Sequence, residues 1–302
     1  MNKEKVLLLI ETNPQSDIFF KDWIRLGYKA DVIFRKINKP LRALRRFWLK
    51  YDLFFSQMWY GNWFDSLGGY DAVILNMSRL TRHMPFAIHK KYPNLKIICW
   101  YWNTIDSNSI PIKTDVDEIE YWSFDEDDCK KYELKKNTQY YCEPEELKKD
   151  KTESDIYFVG RNKGREDKIN EIRNIAENLD ITCNFNIISD NGYGYIPYET
   201  VRENLAKTKA VLEINKKDQV GFTLRVLESL FYEIKLITDN TFIEQSPIYD
   251  KNNIFIINKD SYDDFKGFIN GDYDHSVDKY KEIYKMDSWF DRFFSEDKQN
   301  EI

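Results

Sequence analysis

The stretch Val6-Leu7-Leu8-Leu9-Ile10 has no polar position, so it has no face to show to water in any regular conformation. Five residues are too few for a buried helix and suit a strand covered on both faces, as in a parallel sheet flanked by helices. The run ends in Glu11-Thr12-Asn13-Pro14, a loop. Residues 16–26 are then expected to be helical, closed at Gly27, and 30–34 to form a second strand, a β-α-β opening. The alternation continues with strands at 71–75, 96–101 and 119–123 and helices at 85–91 and 125–132, the last capped by Ser123 or Asp125. The charged, proline-containing run 143–151 lacks apolar periodicity and reads as a linker. Beyond it lies a second series: strands near 155–159, 184–188, 210–214 and 254–257, with helices at 166–179 and 198–208. A further helix and strand follow Gln219. The expected fold class is α/β, with domains over 1–145 and 152–275 and a helical tail, rich in Tyr, Trp and Phe, over 276–302.

Composition narrows the partners. With 302 residues, 42% hydrophobic and 32% charged, the chain can bury two cores of ordinary size and is neither disordered nor membrane-embedded. Its net charge of -6 gives no general attraction to nucleic acid. The apolar run at 6–10 is too short for a signal peptide or a membrane span. The four cysteines follow no metal-ligand spacing, so free thiols in a reducing cytoplasm are expected. One local basic patch, 36–50, mixes Arg42, Arg45, Arg46 and Lys50 with Leu41, Leu44, Phe47, Trp48 and Leu49. The simple reading is a surface helix whose apolar stripe packs inward; the sharper one is a face for anionic lipid or a lipid-linked diphosphate at the inner membrane face.

Open α/β sheets place ligands beyond the carboxyl ends of their strands, and two loops there carry anion-binding chemistry. Gly160-Arg161-Asn162-Lys163-Gly164-Arg165 combines two glycines with three cations before a helix. Such a turn can grip a diphosphate and stabilise it as a leaving group, or can simply be solvated. In Gln219-Val220-Gly221-Phe222-Thr223-Leu224-Arg225-Val226-Leu227-Glu228 a polar loop enters a helix. Gly221, Phe222 and Thr223 can present N–H groups to phosphate, Thr223 can add its hydroxyl, and Arg225 can reach the same charge. Glu228 suits a pair of ribose hydroxyls, or else forms a helix ion pair with Arg225. Together the loops describe a site for a nucleoside diphosphate. Competing chemistry lacks its signatures: His83, His89 and His275 have no zinc spacing, and no GxSxG elbow, P-loop or dinucleotide fingerprint is present.

The segments Gly221 to Glu228, Lys235-Leu236-Ile237-Thr238-Asp239-Asn240, Asp155-Ile156-Tyr157-Phe158-Val159-Gly160-Arg161 and Trp122-Ser123-Phe124-Asp125-Glu126-Asp127-Asp128 resemble bacterial GT-B glycosyltransferases of lipopolysaccharide and capsule biosynthesis, including the CgeB-like group. The likeness spans roughly residues 95–260. It implies two Rossmann-like domains facing across a cleft, with the C-terminal helices crossing back to the first. The second domain would bind a nucleotide-sugar donor and the first a saccharide or lipid-linked acceptor. No metal or other cofactor is implied, since cationic side chains and helix dipoles stabilise the departing diphosphate. Glu228 matches the second glutamate of the family's E-x7-E pattern, the ribose contact; the first is replaced by Val220, beside Gln219 and Asp218. Donor binding then falls to Gly160, Arg161, Lys163, Arg165, Gln219, Gly221, Phe222, Thr223, Arg225 and Glu228. Arg161 would act in catalysis, with Glu11 as the first choice of base and Asp106 and Asp125 behind it. Glu11 can alternatively cap the next helix. Two other readings fit the same resemblance, a nucleotide-sugar or glycan-binding protein without turnover and a nucleotide-sugar epimerase.

Overall fold

The computed structural model describes residues 1–11, 17–144, 151–190, 194, 196–215 and 221–299. The chain forms two compact units, one of Met1–Thr138 with Phe290–Ile302, the other of Gln139–Trp289. Of the charged run 143–151, read as linker, residues 145–150 lie outside the described residues.

The first unit runs β1 (Val6–Ile10), α1 (Asp17–Arg25), β2 (Lys29–Val32), α2 (Lys39–Lys50), α3 (Trp63–Ser66), β3 (Ala72–Asn76), α4 (Met84–Lys91), β4 (Lys96–Tyr101), β5 (Ile119–Ser123), α5 (Glu126–Tyr132) and the two-residue β6 (Lys135–Lys136). Its sheet is parallel throughout, in the order β2-β1-β3-β4-β5-β6. Every residue of β1 is buried, as its apolar run requires. Alternate residues serve opposite faces: Leu7, Leu9, Val73, Leu75, Ile97, Cys99 and Tyr101 join one core with Trp63, Leu67 and Ile88.

The second unit runs β7 (Ser154–Arg161), α6 (Glu166–Asn178), β8 (Cys183–Ile188), α7 (Tyr198–Leu205), β9 (Thr208–Glu213), α8 (Leu224–Tyr232), β10 (Lys235–Thr238), β11 (Ile254–Ile256), α9 (Phe265–Asn270) and α10 (Lys281–Tyr284); the division falls within α11 (Met286–Arg292), and α12 (Glu296–Gln299) lies beyond it. Its strands are also parallel, in the order β11-β10-β9-β7-β8. Ile156, Phe158, Ala210, Leu212 and Ile237 face a core with Ile169 and Ile172 of α6 and Phe265 of α9. Tyr157, Val159, Val211 and Glu213 occupy the alternate positions and face the α7 and α8 side, where both helices pack on the sheet. The expectation of two parallel α/β sheets therefore holds.

One reading changes. The apolar stripe of α2 does not pack inward: Leu49 is buried, but Leu41, Leu44 and Phe47 are exposed. The end of the tail returns to the first unit, as the resemblance implies: Phe290 packs on Tyr28 and Phe293 on Trp100 and Trp122. Among the described residues, no helix is long and apolar enough to cross a membrane.

Candidate functional site

In the second sheet the strand order reverses between β7 and β9: the chain leaves β7 for β8 on one side, then crosses to β9 on the other. Above such a switch the two flanking loops diverge and open a crevice at the carboxyl ends. Both loops singled out from sequence lie there, Arg161 to Arg165 after β7 and Gly221 to Thr223 after β9.

The first loop is a tight turn. Arg165 N–H donates to the Asn162 carbonyl at 2.9 Å, and both central residues are left-handed, Lys163 at φ 46 and Gly164 at φ 73. The Asn162 side chain bonds twice to the first residue of α6, accepting from Glu166 N–H at 3.2 Å and donating to the Glu166 carboxylate at 2.6 Å. Lys163 N–H is taken by the Asp190 carboxylate at 3.0 Å. The three cations divide in role. The Arg165 guanidinium turns inward and donates to the carbonyls of Ile214 at 2.5 Å, Arg161 at 2.6 Å and Asn162 at 3.3 Å, tying β7 to β9. Burial, and then the nearby Arg225 charge, hold its pKa below the ordinary value. Arg161 and Lys163 are exposed.

The second loop enters α8. Thr223 is its N-cap, the hydroxyl accepting from Arg225 N–H at 3.1 Å. The same hydroxyl donates to the Glu213 carboxylate, whose other oxygen accepts from Thr238 at 2.5 Å. Among the described residues, the N–H groups of Gly221, Phe222, Thr223 and Leu224 have no partner, so the loop offers backbone donors while its hydroxyl is already engaged. Gln219 and Val220 lie outside the described residues.

Behind this entrance sits an ion pair whose carboxylate is buried and whose guanidinium is partly exposed. Arg225 contacts the Glu228 carboxylate through one guanidinium nitrogen and donates to the Val159 carbonyl at 2.8 Å through another. Tyr198 from α7 donates to the other Glu228 oxygen at 2.5 Å. Glu228 is 0% exposed, so the helix ion pair read as its structural alternative is the arrangement present. Burial works against the Arg225 charge, but the adjoining Glu228 carboxylate outweighs it and raises the pKa. Burial likewise raises the Tyr157 hydroxyl to about 12.

Sequence reasoning passed over several members of this cluster. Glu213 is a buried carboxylate whose pKa is raised by burial, against the pull of its bonds from Thr223 and Thr238. Asn215 keeps both side-chain amide atoms buried and unpartnered among the described residues, while its N–H donates to Asp239 at 2.8 Å. The Tyr157 hydroxyl is buried and unpartnered in the same sense. A signal existed: the apolar centres of β9 (Ala210 to Leu212) and β10 (Leu236 and Ile237) give way to polar residues at Glu213 and Asn215, and at Thr238, Asp239 and Asn240. Polar residues at the carboxyl end of a buried strand have only the ligand crevice to serve.

In the first unit the order reverses between β1 and β3, and Glu11 lies there, its carboxylate accepting from the Ser78 hydroxyl at 2.9 Å. The pKa of Arg45 is lowered by burial, with the Glu11 charge opposing that shift. Asp125 follows β5, separated from β1 by β3 and β4; it is buried and caps α5 by accepting from Asp128 N–H at 3.0 Å. Asp106 closes a local turn, accepting from Asn108 N–H at 2.8 Å. Glu11 and Asp125 are therefore not brought together. Among the described residues one group has the proximity for a metal ion, Glu233, His275 and Asp278. It lies past the far end of α8, and the Lys281 ammonium bridges Glu233 at 3.0 Å and Asp278 at 2.9 Å.

No protein-family model matches the chain, and no curated protein matches it by sequence. Among solved structures, sucrose-phosphate synthase from Thermosynechococcus elongatus aligns over 94% of this chain and 96% of its own, with TM-score 0.53 at 9% identity. The fold is GT-B. Two others align more loosely: Anabaena HepE in complex with UDP and glucose, over 93% and 92% with TM-score 0.44 at 9% identity, and an α1,3-fucosyltransferase with GDP, over 97% and 82% with TM-score 0.40 at 10% identity. At 9% identity the likeness to the sucrose-phosphate synthase speaks for the fold of this GT-B chain, two Rossmann-like units, and leaves its activity to the site.

Proposed function

We propose that the chain is a glycosyltransferase that takes a sugar from a nucleotide-sugar donor held in the second unit. The observation that supports this reading is the carboxyl end of the second sheet at the β7/β9 switch: the loop after β9 offers the N–H groups of residues 221–224, without a partner among the described residues, the loop after β7 carries exposed Arg161, and the side-chain amide atoms of Asn215 are buried. Backbone donors at a helix start, a mobile-charge arginine and a low-dielectric floor stabilise a diphosphate and the negative charge it gains on leaving. In this scheme Arg161 and Lys163 meet the diphosphate, whereas Arg165 braces the two strands. Glu228 fixes Arg225 and so the entrance of α8; the ribose contact implied by the resemblance requires its bond from Tyr198 to open on binding. Glu11 is the proposed base, because it follows β1 at the β1/β3 switch of the first sheet, where the Ser78 hydroxyl holds its carboxylate, while that of Asp125 serves as a helix cap. The acceptor is a saccharide or lipid-linked glycan of surface polysaccharide synthesis, used in the cytoplasm, and transfer needs no metal.

UDP or GDP is expected to raise the melting temperature with a chelator present, and Arg161→Ala to reduce that rise without changing the unliganded melting temperature. Absence of a shift with any nucleoside diphosphate would overturn the donor reading. A second reading, donor binding without turnover, is favoured by Val220 at the place of the first family glutamate and by the enclosure of Glu228. Saturable binding with neither donor hydrolysis nor transfer would select it.

A further inference from the structure

The patch formed by α2 and the turn that follows it plays no part in the donor site. Its conformation is fixed. Asn38 caps α2, accepting from Leu41 N–H at 3.1 Å, and Pro40 occupies the first turn. After the helix, Trp48 Nε1 donates to the Phe54 carbonyl at 2.8 Å and Leu53 N–H to the Trp48 carbonyl at 3.1 Å, closing the turn back on the helix. Phe55, a bulky residue, is held in the left-handed region at φ 59. This scaffold carries Leu44, Phe47, Tyr51, Phe54, Phe55 and Met58 outward, with Phe54 at 73% and Phe55 at 71% exposure. Large apolar side chains grouped in this way on a soluble surface mark a contact with something else.

Charge identifies that something. Lys39, Arg42, Arg46 and Lys50 recur at helical spacing on the stripe beside Leu44 and Phe47, and all four are exposed. Residues 36–58 hold six Lys and Arg against one carboxylate, Asp52, within a chain of net charge -6. Protein interface cores are depleted in lysine, and a second copy would set its own cations against these; an anionic bilayer welcomes both features at once, apolar rings below the headgroups and cations among them. We infer that α2 and residues 51–58 dock the protein on the surface of an anionic lipid bilayer. The helix lies in the interface plane, Phe47, Phe54 and Phe55 enter the acyl boundary, and the basic stripe stays at headgroup level. This inference is independent of the donor reading.

The test is sedimentation of the full chain with vesicles of phosphatidylcholine plus phosphatidylglycerol, against phosphatidylcholine alone. Co-sedimentation with the anionic vesicles only, weakened by added salt, is expected. The triple variants Phe47→Ser/Phe54→Ser/Phe55→Ser and Arg42→Gln/Arg46→Gln/Lys50→Gln should each lower the partition coefficient about ten-fold or more. A polarity-sensitive dye on Gln57→Cys, which leaves the patch intact, should shift to the blue with anionic vesicles. Equal binding to both vesicle types, variants that bind as the parent does, or an unshifted dye would overturn the inference. So would concentration-dependent dimerisation abolished by the phenylalanine variant, which would make the patch an interface between copies. UDP- or GDP-induced stabilisation, read on the same preparations, separates failure here from failure of the donor site.

Discussion

Glu228 and Glu213 are both buried carboxylates of the donor unit, but they reach electrical balance differently. Glu228 is neutralised by Arg225, so removing it strands a guanidinium with only the Val159 carbonyl and one exposed edge. Glu228→Leu should cost about 3 kcal/mol or more in urea unfolding, and adding Arg225→Met should recover part of that loss, because breaking a buried pair is worse than replacing it. A double variant no more stable than Glu228→Leu would show that the two charges are not coupled. Glu213 has hydroxyl donors in place of a cation, and burial lifts its carboxyl above the ordinary 4.5. A folded pKa above the unfolded one means the native state holds the proton more tightly. Its contribution is therefore complete below about pH 4.5 and declines as pH rises through the folded value. Glu213→Gln cannot ionise, and its unfolding free energy should fall less than the parent's over that rise, as urea titrations from about pH 4 to 7 would show.

At the level of elements, the donor crevice depends on where helices start. Thr223 begins α8 and its hydroxyl also serves Glu213, so one side chain joins the helix cap to the strand end. Thr223→Ala should destabilise by about 1–2 kcal/mol through loss of the cap alone, with a further cost from the Glu213 bond, and Thr223→Ser should restore most of both. Equal stability of the Ala and Ser variants in chemical unfolding would refute the shared role. This element was legible in advance because Gly221, the threonine and the apolar helix lie in one short stretch. The occupation of the Thr223 hydroxyl was not, since its partner Glu213 arrives from another strand. Arg165 teaches the same lesson: beside Arg161 and Lys163 in sequence it is one of three equivalent cations, yet only it meets the Ile214 carbonyl.

For the whole molecule, the return of the chain to its first unit makes the last residues structural. Phe293 packs on Trp100 and Trp122, its carbonyl accepts from the Lys96 ammonium at 3.1 Å, and Arg292 donates to Asn137 at 2.6 Å. Phe293→Ala should destabilise the first unit by about 3–5 kcal/mol while leaving the UDP or GDP response of the second in place. Differential scanning calorimetry with and without nucleotide checks this, and a single transition lowered together with loss of the nucleotide response would refute it.

The sequence by itself determined the two parallel sheets, because runs such as Val6 to Ile10 and Ile254 to Ile256 have no polar side and can only be covered on both faces. It also located the glycine- and cation-bearing loops at the strand ends, since those signals are local. Tertiary structure alone decided which groups remain available. Burial of Glu228 against Tyr198, the engagement of Thr223 by Glu213 and the burial of the Asn215 amide, unpartnered among the described residues, depend on side chains from separate strands and helices. It likewise turned the apolar stripe of α2 outward, for helical spacing sorts residues onto faces but does not say which face the rest of the fold will cover.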